Sequence, residues 1–128
     1  MLNLVDIMSR LRTFGYDAID EDIGLADYLA RKCEQRICNY CNISLDDIPD
    51  SLVFDATDAV CAEFLKMKLI KGEIPHLDRV FQGIASIKEG DTQINYGGAS
   101  TYATMLSELL DSMALTPAIL NKYRRFVW

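Results

Sequence analysis

Apolar residues recur every three or four positions along most of this chain, the period of helices that bury one face. Leu4, Ile7, Met8 and Leu11 line one side of a first segment. Asn3 stands where an N-cap belongs and Phe14-Gly15 where the turn should end, which predicts a helix over 3–14. Arg10 and Arg12 fall near its C-terminus, the end that favours cations. A second stripe, Ile23, Ala26, Ala30, Cys33, Ile37, Tyr40 and Cys41, predicts a helix over 22–41. Asp20, Glu21 and Asp22 sit at its positive end, and Asp27 with Arg31 adds an i,i+4 pair. A third stripe, Leu52, Val53, Ala56, Ala59, Val60, Phe64 and Met67, predicts a helix over 51–71 that stops at Gly72. The turn between these two long helices, 42–50, carries Ser44, Asp46, Asp47 and Pro49. Long helices joined by so short a turn are expected to pack antiparallel and form the scaffold of a small bundle.

The pattern changes at 84–96. Ala85 and Ile87 alternate with Ser86, Thr92 and Ile94 alternate with Gln93 and Asn95, and Glu89-Gly90 sits between. That is the period-two pattern of a β-hairpin, with Gly90 supplying positive φ at the bend. A lone hairpin is marginal in water, and its edges hold unpaired backbone groups. Ile84, Ile87, Thr92, Ile94 and Tyr96 are therefore candidate inter-subunit residues. Beyond Gly97-Gly98, Tyr102, Met105, Leu106, Leu109, Leu110 and Met113 predict a helix over 101–113, and a last short helix is expected over 118–125. The expected fold is mainly α: one domain over 1–128, two long antiparallel helices, one hairpin and a short C-terminal helix and tail.

Half of the residues are apolar and a quarter charged, the profile of a globular chain that buries a real core. No apolar run reaches the length of a membrane span, and the first residues lack the features of a signal peptide, so no membrane partner and an intracellular origin are expected. The net charge of −6 is unevenly spread. Residues 1–65 hold 13 acids and 5 bases; residues 66–128 hold 6 acids and 8 bases. This balance disfavours general nucleic-acid binding, which needs clustered cations, and suits attraction between unlike halves of neighbouring copies.

Candidate chemistry is thin. Cys33, Cys38 and Cys41 have the C-x4-C-x2-C spacing of plant-type iron–sulfur proteins, with Cys61 as a fourth ligand. On a helix, however, Cys38 is rotated about 140° from Cys33, so the three sulfurs cannot converge. Buried, reduced thiols are the expectation, and no cofactor, metal or catalytic residue is assigned. Asp20 to Gly24 fails as a calcium loop, because its glycine is misplaced and position twelve is Arg31. His76, the one histidine, has no nucleophile motif beside it. The end of the chain is richer: Tyr123, Arg124, Arg125, Phe126 and Trp128 are the types enriched at interface hot spots. They are candidates for contact with a partner, or for folding back on the core.

Three stretches, in order, carry a resemblance: Ala56 to Leu65; Ser86-Ile87-Lys88-Glu89-Gly90-Asp91-Thr92; and Leu120 to Trp128. Over residues 20–128 the chain resembles the head-to-tail connector (adaptor, or head completion) proteins of tailed bacteriophages and prophages. The resemblance implies a mainly helical, non-enzymatic subunit that forms a ring, dodecamer-like, beneath the portal protein. Such a ring extends the DNA channel and receives the next neck or tail protein. The implied location is the bacterial cytoplasm before assembly and the virion neck afterwards. Two other readings follow from single features: a small metal or redox protein built on the four cysteines, and a helical regulator that binds a partner through Phe126 and Trp128.

Overall fold

A computed structural model of the chain describes residues 2–74, 77–88 and 102–124. Helix α1 spans Leu4–Thr13, and the Asn3 side chain accepts the Val5 N–H at 2.8 Å, satisfying one of its open donors. Helix α2 spans Asp22–Cys41 and ends at Asn42, whose φ of 58° is the left-handed turn that stops a helix. Helix α3 spans Asp50–Ile70, entered from Pro49 and followed by Gly72 at φ 70°. Helix α4 is Leu77–Lys88, α5 is Tyr102–Ser112 and α6 is the single turn Pro117–Leu120, with Thr116 as its cap.

Helices α2 and α3 run antiparallel. Asp22 at the start of α2 meets Lys68 near the end of α3, Lys32 meets Glu63 in the middle, and Ile37 and Cys41 share a cluster with Leu52 and Ala56. Helix α1 lies on the α3 face that presents Asp58, Cys61 and Leu65: Arg10 Nε is 2.7 Å from Asp58 Oδ1, and the Cys61 thiol donates to the Ile7 carbonyl at 3.6 Å. The main core gathers Ile7, Leu11 and Phe14 with Leu29, Phe64 and Leu65. Leu115 and Leu120 close a second core at the far end of the α2–α3 pair. The stripe expected on α2 is rotated slightly: Leu29 is buried, whereas Ile23 faces outward.

The hairpin reading is corrected here. Its first arm, 84–88, is the last part of α4, and its second arm, 89–96, including Thr92, Ile94 and Tyr96, lies outside the described residues. Leu77, Val80, Phe81, Ile84 and Ala85 form an i, i+3, i+4, i+7, i+8 series within the twelve-residue helix. Asp78, Arg79, Gln82 and Ser86 are exposed on the opposite side. A full helical stripe outweighs a few residues of alternation, because it buries a continuous face while the backbone bonds stay within the segment. Val80 and Ile84 are both essentially inaccessible in the main core.

Helix α4 gains this position by packing at very short range on the Phe14–Gly15 turn that ends α1. A Cβ on Gly83 would stand 2.6 Å from the Phe14 carbonyl oxygen, and one on Gly15 would stand 2.9 Å from the Arg79 carbonyl oxygen. Gly15 also adopts φ 89°, a conformation that side chains disfavour. The two glycines thus let backbone meet backbone where α1 turns under α4.

Candidate functional site

Polar groups inside the subunit are engaged in holding it together. Asp22 is buried, and its carboxylate accepts from Lys68 Nζ at 3.0 Å, Tyr16 Oη at 3.0 Å and the Ile19 N–H at 3.0 Å. Burial opposes its charge, but the Ile19 amide, Lys68 and Tyr16 prevail and hold it below the usual carboxylate range. Lys68 also reaches Glu73 at 2.9 Å, and the Phe64 ring packs against both Tyr16 and the Lys68 ammonium. This centre ties the 14–22 connector to the end of α3 with each partner satisfied.

The four thiols are spread through the cores. Cys61 bonds to the Ile7 carbonyl and Cys41 to the Leu120 carbonyl, while Cys33 faces a groove. Burial pushes the Cys33 and Cys61 thiols up to about 12 and raises Cys38 and Cys41 as well, so all four stay protonated at neutral pH. Among the described residues, no group of three or more His, Cys, Asp or Glu side chains is placed to hold a metal ion. His76 lies outside the described residues.

Two features of the surface stand apart. The first is a groove of about 200 Å³ between α2, α3 and the end of α5. Small side chains at Ala59, Ala62 and Ala114 leave room there, over a floor that includes Cys33, Val60 and Leu110. Its rim carries Lys32, Arg36 and Lys66; Lys32 bridges Glu63 at 3.3 Å and Lys66 bridges Asp111. The rim continues along the outer side of α2, where Tyr28, Arg31, Gln35 and Asn39 are exposed. The second feature is Phe54, 76 % exposed near the start of α3. Asp50 and Asp55 beside it are exposed too, and residues 42–58 hold five aspartates and no lysine or arginine. A phenyl ring left in water within an acidic surface is a feature that folding of this subunit does not require.

Of the residues singled out from sequence, Ile84 lies in the subunit's own core, and Ile87 is in the last turn of α4. Tyr123 is half-buried against the subunit, its hydroxyl 3.1 Å from that of Ser51, and the Arg124 guanidinium lies 5.2 Å above the Tyr40 ring. Arg125, Phe126 and Trp128 lie outside the described residues. The structure brings Tyr123 and Arg124 together at the α2–α3 turn end and places Ile84 elsewhere, on the buried face of α4. Phe54 and the groove were not among the candidates. The available signal was that Phe54 falls off the α3 stripe, inside a stretch, 37–65, that holds six acids and no lysine or arginine.

Comparison with family models, with curated proteins and with solved structures found no match for this chain.

Proposed function

We propose that the chain is a structural subunit of a tailed-phage or prophage head-to-tail connector. It assembles as a ring between the portal protein and the tail, lets DNA pass through its centre and offers a platform to neck or tail proteins. The observation that carries this reading is the set of large apolar side chains exposed among the described residues: Val5, Tyr28, Phe54 and Ile70 are each more than 60 % exposed. A subunit that presents such residues on its described surface is suited to burial against other chains. The mainly helical architecture agrees with the resemblance carried by residues 56–65, 86–92 and 120–128. A channel wall that does not hold phosphates tightly also suits DNA that must slide. The polar centre at Asp22 and the protonated thiols are accounted for by folding, which leaves the metal or redox reading without a supporting arrangement among the described residues.

The test is co-expression with the portal protein encoded in the same genome, followed by electron microscopy of the purified particles. A ring of this protein seated on one face of the portal is the expected image. A genome with no portal gene nearby, or portal particles that never acquire this subunit, contradicts the proposal.

A further inference from the structure

Phe54 and the groove lie on opposite sides of α3. Glu63, which bridges Lys32 at the groove rim, is nine residues beyond Phe54. At about 100° per residue, two side chains so spaced leave a helix about 180° apart. A subunit therefore cannot place Phe54 in its own groove.

The two surfaces nevertheless match. The groove measures about 200 Å³, and an apolar cavity of roughly 150 Å³ is enough to hold a benzene ring. Val60 and Leu110 in its floor are buried apolar residues, as a phenyl group requires. The groove holds Lys32, Arg36 and Lys66 against Glu63 and Asp111, leaving a net positive charge that opposes in sign the Asp50 and Asp55 that flank Phe54. Arg36 brings a planar guanidinium fork that suits carboxylates, and Lys32 and Lys66 can share their present partners with an incoming one.

Building on the reading of this chain as an assembling subunit, we propose that Phe54 of one copy inserts into the α2–α3–α5 groove of a second copy. Asp50 and Asp55 then meet Lys32, Arg36 and Lys66 around the buried ring. The surface given and the surface received are different patches, so the contact is heterologous. Each added copy keeps one unused Phe54 and one unused groove, and the series closes into a ring or continues as a filament. A two-fold dimer does not satisfy it.

The experiment uses the full chain with two added thiols, Ser51→Cys and Ala114→Cys, both at exposed positions; Ser51 stands one turn before Phe54, which is kept. A short bis-maleimide is applied at high protein concentration and the products are separated under denaturing conditions. A ladder of dimer, trimer and higher bands is expected for the double variant. Each single variant should stop at dimer, because one added thiol links at most two copies; these also report any linking through the native cysteines. High salt should cut the ladder yield several-fold, since the rim charges are screened. A double variant with no bands above those of the single variants overturns the proposal. Rings on the portal without the ladder mean that the connector reading holds through other surfaces and this contact fails. A ladder without portal binding means the reverse.

Discussion

Lys68 Nζ lies 3.0 Å from Asp22 Oδ1, joining the last turns of α3 to the first residue of α2 through a carboxylate that solvent barely reaches. Lys68 keeps a second carboxylate, Glu73, at 2.9 Å, and remains partly accessible. Replacing Asp22 by Asn therefore leaves an ammonium with one partner and weakens the anchor of the 14–22 connector. The expected cost is about 2–3 kcal/mol in urea unfolding. Adding Lys68→Met should recover part of that loss, because the stranded charge is gone. Fully additive losses in the two single variants would show that the pair is not coupled.

The same centre sets the pH range of stability. Asp22 is held below its ordinary value, so its contribution is present above the unfolded-state carboxylate value of about 3.9 and is lost as pH falls through the lower folded value. Tyr16 is pushed up to about 12, first by burial and then by its hydrogen bond to Asp22. Lys68 is raised by its bonds to Glu73 and Asp22. Both of these contributions are complete below about pH 10 and are lost as pH rises beyond it. Urea midpoints followed by circular dichroism should form a plateau between about pH 5 and 9 and fall on either side. Tyr16→Phe should shallow the alkaline fall; an alkaline limb unchanged in that variant would remove Tyr16 from the account.

Two glycines should respond with opposite sign. Alanine at Gly83 drives its Cβ into the Phe14 carbonyl, which is backbone and has no rotamer to yield. A loss of about 1–3 kcal/mol is expected as α4 is pushed off α1. Gly24, in the first turn of α2, has nothing within 4 Å of its virtual Cβ. Gly24→Ala should stabilise by about 0.5–1 kcal/mol through helix propensity and a less flexible unfolded chain. Thermal unfolding of the two variants side by side checks both signs, and equal effects would refute the close approach.

The long helices were legible because their stripes are long: the expected 22–41 is the observed span of α2, and α3 starts one residue earlier and ends one residue earlier than expected. Helix α4 was not, because Ala85, Ser86 and Ile87 alternate over too short a window, and the close approach of Gly83 to the Phe14 carbonyl joins segments far apart in sequence. Asp22 read as a complement to the α2 dipole. Its burial depends on Lys68, 46 residues away in sequence, which local pattern does not connect. Phe54 was visible only as an apolar residue out of register, and its importance appears when the groove on the other side of α3 is seen.

Sedimentation velocity over a wide concentration range reads whether this subunit joins copies of itself, as proposed. Wild-type protein should sediment faster as concentration rises. Phe54→Glu should stay at the single-subunit value while unfolding within about 0.5 kcal/mol of wild type, as a change at an exposed position should. Wild-type protein that remains a single subunit at every concentration, or a Phe54→Glu variant that assembles equally well, would contradict the account.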